Sequence, residues 1–145
     1  MNMETNLSPN EDAEFASLEL AGAKRTIRIT SAIALAHSVY GMLVLAVGEM
    51  GVVSWIQPIV LASTALALLF TFSRGIALLL LVLYACLTLF LLIASVSNGY
   101  LELTAIPSLI ILGVLLWLSI MAVRACNTIR KLKQRTAALD DENKR

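Results

Sequence analysis

The chain has 145 residues, of which 59% are hydrophobic and 14% charged, against about 25% charged in ordinary soluble domains. Between Ile29 and Val123, 95 residues hold only three charges, Glu49, Arg74 and Glu102, while the other 18 lie in the two ends and the formal net charge is +1. This pattern excludes a water-soluble globular domain and a disordered chain, and the presence of only two cysteines excludes a disulfide-framed secreted module.

Residues 1–28 form an acidic-then-basic segment, with five acids before Lys24, Arg25 and Arg28. Ser8-Pro9-Asn10-Glu11 reads as a capping box with Pro at the first helical position. It predicts a short helix from about Pro9 to Ala21, carrying Phe15 and Leu18 on one side and ending at Gly22. No cleavable leader is expected: the first apolar run starts near residue 29, is too long for an h-region and follows an acidic tail, so it reads as a retained signal-anchor. Neither end carries a lipidation motif.

The interior charges cut the apolar region into four runs: Ile29–Gly48 with 20 residues, Met50–Ser73 with 24, Gly75–Leu101 with 27 and Leu103–Val123 with 21. A helix crosses a hydrocarbon core of about 30 Å with about 20 apolar residues, so each run crosses once. Helices leave no backbone group unpaired in lipid, whereas runs such as Ala77–Leu83 lack the alternation of a β-barrel strand. The expected architecture is an all-α membrane protein. It is a four-transmembrane-helix antiparallel bundle (residues 29–124, spans near 29–48, 52–72, 75–97 and 103–124) with very short turns and short cytoplasmic end helices.

All 11 basic residues fall on one side of this arrangement. By the positive-inside rule, both termini and the Arg74 turn are expected in the cytoplasm and Glu49 and Glu102 outside, in an inner membrane, with Trp55 and Tyr100 at the outer interface. Lys24, Arg25, Arg28, Arg74, Arg124, Arg130, Lys131, Lys133 and Arg135 are the expected lipid-headgroup contacts.

Within the first span, Ser31, Ala34, Ser38, Gly41 and Gly48 fall on heptad positions, a small-residue seam expected to pack inside the bundle. The third span, with Leu78–Leu83 free of small residues, is expected to be the most lipid-exposed. Pro58 and Pro107, like Arg25 and Arg74, are 49 residues apart, which gives two similar hairpins. His37 lies about 13 Å deep by helix rise, with Ser63, Thr64 and Tyr84 at similar depth and Tyr40 one turn on. A His in lipid needs partners or stays neutral, so His37 is expected to hydrogen-bond to Thr64 or Tyr84. This polar layer reads either as an interhelical contact or as a site for a small ligand or proton. Residues 125–145 are expected to prolong the fourth helix, with Ile129, Leu132, Thr136 and Leu139 as a stripe among basic residues.

No Asp, Glu, Lys or Arg lies at mid-depth, where proton relays and ion-coupled transporters place one. No metal-ligand cluster, nucleophile triad, P-loop or dinucleotide glycine pattern is present. Cys86 and Cys126 sit at depths too different for a disulfide. No enzymatic activity, cofactor, metal or nucleic-acid binding is expected. What remains is a small multi-pass membrane protein acting as an accessory or interaction subunit through helix packing and cytoplasmic tails, as a homo-oligomer or bound to a larger membrane protein. The alternative is a small transporter or channel-like protein using the His37 layer.

Overall fold

A computed structural model describes residues 9–48, 52–97 and 105–142, and all its regular structure is helical. Helix α1 runs Pro9–Val47; a 3-10 turn, Val52–Trp55, leads into α2, Ile56–Thr71; α3 is Arg74–Ser97 and α4 is Ala105–Glu142. Ser8, Glu49, Glu102, Tyr100, Gly99, Lys144 and Arg145, on which several sequence expectations rest, lie outside the described residues.

α1 packs on α2 and α4, and α3 packs on α4 and, less extensively, on α2. α1 and α3 are therefore diagonal, and among the described residues their backbones do not approach. The arrangement fits a four-helix bundle. Each helix turns a 3-4 spaced stripe inward. α4 buries Leu112, Leu115, Ser119, Ala122, Cys126 and Ile129; α3 buries Ala77, Leu80 and Tyr84; α2 buries Pro58, Leu61, Ala65 and Leu68; α1 buries Ala23, Ile27, Thr30 and Ala34. That spacing keeps one seam facing a neighbour over many turns.

The interior mixes leucines and isoleucines with small residues and hydroxyls, and many other large apolar side chains are outside. Phe70, Phe90, Ile110 and Trp117 are all more than half exposed. Three helical segments are long and apolar enough to cross a membrane: Glu14–Val47, Arg74–Ile93 and Ile106–Ala138. Exposed apolar side chains are not confined to α3, since Leu43 on α1 and Phe70 on α2 match Leu89 and Phe90 in exposure. Among the three membrane-length segments the one in α3 is the least buried, 17% against 22% in each of the others, in line with the expectation that the third span is the most exposed.

Three further boundaries differ from the sequence reading. α1 does not break at Gly22. It passes through the expected boundary at residues 28 and 29 as one helix of 39 residues, about 58 Å long. A helical Gly costs only about 1 kcal/mol relative to Ala, and on either side of Gly22 the helix is held against the core, by partly buried Leu20 before it and by buried Ala23 and Ile27 after it. α2 is a 16-residue helix, about 24 Å long; the rest of the expected span is the 3-10 turn. The turn before α3 is Phe72–Ser73, with Arg74 the first residue of α3 rather than a turn residue. Phe72 makes this tight reversal in the left-handed region at φ 49°, its amide donating to the Leu68 carbonyl at 3.1 Å.

Candidate functional site

At mid-height of the bundle the diagonal between α1 and α3 is bridged by side chains. The Tyr84 ring, fully buried, reaches across from α3 to the half-buried His37 ring of α1, with centroids 6.0 Å apart and planes tilted by 58°. The expected hydrogen bond of His37 to Thr64 or Tyr84 is replaced by this ring contact. Thr64 instead donates to the Val60 carbonyl of its own helix at 2.7 Å, and the Tyr84 hydroxyl has no hydrogen-bond partner among the described residues. A helical Thr takes its i−4 carbonyl readily because that acceptor is always within reach.

The buried hydroxyls of Thr30, Ser38 and Ser119 behave as Thr64 does. Ser38 donates to Ala34 and Ser119 to Leu115, both at 2.8 Å. Thr30 lies 3.0 Å from the Thr26 carbonyl and 3.3 Å from the Leu118 carbonyl, which ties α1 to α4. Ser31 is fully buried with its hydroxyl unpartnered among the described residues.

Two members of the expected polar layer lie elsewhere. Ser63 is exposed and donates to Val60, and Tyr40 is 66% exposed. The reason is angular. Successive residues on a helix are about 100° apart, so with the inward side of α2 set by Leu61, Thr64, Ala65 and Leu68, Ser63 falls outside it, and Tyr40, two positions from buried Ser38, faces away from the core. The small-residue stripe of α1 is buried at Ser31, Ala34 and Ser38 and half-buried at Gly41. A Cβ placed on Gly41 would stand 3.6 Å from the Pro58 Cβ, which marks the close approach of α1 and α2. Gly48 departs from this expectation: it is exposed in the turn after α1, its amide bonded to Val44 at 3.1 Å.

Beside His37 a cavity of about 420 Å³ opens between α1, the 3-10 turn and α2, with Ser38, Tyr40, Ser54 and Gln57 on its wall. Gln57 stands in this wall because the short α2 sets it in the helix's first turn. A second cavity of about 380 Å³, between α2 and α3, is lined by Ile56, Gln57, Val60, Leu61, Leu83 and Leu87.

The basic residues converge at the other end. Lys24 shares a groove with Leu132 and Lys133, Arg124 lies beside Gly22 and Ala23, and Arg74 faces Arg130 and Lys131. Arg25, Arg28 and Arg135 are exposed. Here α4 continues the stripe expected for the tail, with Ile129 buried, Leu132 half-buried and Thr136 exposed. Cys86 and Cys126 are both free, Cys86 exposed and Cys126 buried in the core. Among the described residues no three His, Cys, Asp or Glu side chains gather as a metal site.

No protein-family model, no curated protein and no solved structure matches the chain.

Proposed function

We propose that the chain is a multi-pass inner-membrane protein, with both termini cytoplasmic, that works as an accessory or interaction subunit. The apolar exterior and the three membrane-length helices support the membrane reading. Orientation is supported by bases from three separate segments gathering at one end. An antiparallel order is supported by register: Thr30 meets Leu118, while Leu20 and Lys24 share a groove with Leu132 and Thr136, so numbers fall along α1 as they rise along α4.

The observation that carries the functional reading is the protrusion of α1. Phe15 and Leu18 are 60% and 62% exposed on a stretch whose Phe15 lies about 21 Å before Ile29 by helix rise. Apolar side chains presented outside lipid on a rigid helix are a surface for another protein chain. The measurement is the mass of the particle purified in mild detergent. The wild type is expected as a stoichiometric assembly, either a homo-oligomer or a complex with one larger membrane protein. Phe15→Ser/Leu18→Ser is expected as the isolated chain. A wild type that is itself a lone chain would overturn the reading.

A second reading, solute passage along the His37 layer, is favoured by the cavity beside His37 and the unpartnered Tyr84 hydroxyl. It requires solute flux in liposomes that His37→Gln and His37→Leu both abolish while leaving the melting temperature unchanged. A structural His37 instead tolerates Gln and loses modest stability with Leu.

A further inference from the structure

We infer that the basic end of the bundle contains a defined binding site for a phosphate-bearing lipid headgroup, built from Arg74, Arg130 and Lys131. The sequence scatters bases along this end as a diffuse attraction for anionic lipid. The fold does something more specific: it brings one base from the start of α3 against two from α4, residues far apart in the chain, around a cavity of about 360 Å³. The remaining lining residues are Asn127 and Gln134, whose amides add neutral donors, and no carboxylate lines the cavity.

Three cations and two amide groups around one concavity suit an anion with several acceptor oxygens. Arginine pairs with phosphate through two parallel N–H···O bonds, and lysine adds a point charge. Arg74 is also the first residue of α3, so the positive end of that helix dipole lies at the same place. A phosphomonoester, which carries up to two charges, uses this surplus of donors better than a singly charged phosphodiester does.

The surroundings select a lipid over a free phosphate. Directly after Arg74, α3 turns Leu78, Leu79 and Val82 to the outside, so acyl chains attached to the bound headgroup have an apolar track along the same helix. The site rests on the reading of the chain as membrane-embedded.

The test is a melting titration of the full-length protein in mild detergent with short-chain phosphatidic acid, short-chain phosphatidylcholine or inorganic phosphate. Three proteins are compared: wild type, Arg74→Gln/Arg130→Gln and Lys133→Gln/Arg135→Gln. The two variants lose the same charge, but only the first loses cavity residues. Phosphatidic acid is expected to stabilise the wild type and the Lys133/Arg135 variant, and phosphatidylcholine neither. The Arg74/Arg130 variant is expected to bind phosphatidic acid at least ~10-fold more weakly, which corresponds to about 1.4 kcal/mol. All substituted side chains are exposed, and Lys131→Gln alone, expected to weaken binding about threefold, serves if the double variant fails to fold. Equal losses in the two double variants, or phosphatidic acid no better than phosphatidylcholine, would overturn the site. An equal shift from inorganic phosphate would overturn its assignment to lipid. Failure of the membrane reading shows separately, as wild-type protein that stays in solution without detergent.

Discussion

Tyr84 carries the sharpest energetic conflict in the molecule. Its ring fills the space between two helices whose backbones do not meet, yet its hydroxyl is buried and unpartnered among the described residues. A buried unsatisfied hydroxyl costs about 1–3 kcal/mol, whereas removing it and keeping the ring does not open a cavity. Tyr84→Phe is therefore expected to raise the melting stability in detergent by about 1 kcal/mol; a loss of stability would show that the hydroxyl is held by a partner. Cys126 gives a second test at this scale. Alkylation requires the reagent to reach the sulfur, and Cys126 is free and buried. In a Cys86→Ser background, maleimide labelling of Cys126 is expected to lag behind a free thiol until denaturant is added. Labelling as fast as a free thiol would mean that the core opens around Cys126.

Among the elements, α1 is defined by what it packs against rather than by its own propensities. Gly22 is exposed and a Cβ there would meet nothing within 4 Å. Gly22→Ala is thus expected to stabilise the protein by about 0.5–1 kcal/mol; destabilisation would place a hinge at Gly22 after all. Gly41 is different, because its missing Cβ sets the distance to Pro58. At 3.6 Å an alanine methyl makes ordinary contact, so Gly41→Ala should be tolerated. Gly41→Leu should separate α1 from α2 and lower the melting temperature. Leu79→Ala, at a half-exposed position, should be nearly silent by comparison. Equal effects of Gly41→Leu and Leu79→Ala would remove the basis for this interface. The seam positions at Ser31, Ala34 and Ser38 were legible because heptad spacing encodes direction around the helix. The polar layer was only partly legible because depth encodes height alone: Ser63 and Tyr40 stand near His37 in height and point elsewhere. The helix break at Gly22 was misread for a different reason. The burial of Ala23 and Ile27 in the core outweighs a helical glycine's penalty of about 1 kcal/mol, and no local pattern contains that burial.

For the whole molecule, the sequence revealed the helical class and the apolar runs because both follow from composition and run length. It could not show that bases at positions 74 and 130 share one cavity, since that depends on which helices are neighbours. The proposed orientation is open to direct measurement. In intact cells, a membrane-impermeant thiol reagent should label Gly99→Cys, in the expected outer turn, and spare Ser73→Cys, in the turn before α3, each in a background without Cys86 and Cys126. The reverse pattern would invert the topology and move the cluster around Arg74 to the outer face.

The brevity of α2 has a consequence for the surrounding bilayer. Three helices exceed the hydrocarbon thickness while α2, at about 24 Å, falls short of it by about 6 Å. A bilayer meets such hydrophobic mismatch by thinning locally or by drawing in shorter chains. The adjustment is confined to one side, where the 3-10 turn and half-buried Trp55 replace regular helix. In the proposed membrane setting the protein would present lipid with a lopsided boundary: full thickness along α3 and α4, and a shallow dip beside α2. Membranes of uniform thickness fit this outline poorly, so the annulus around the bundle becomes compositionally uneven, with short-chain lipids collecting at α2.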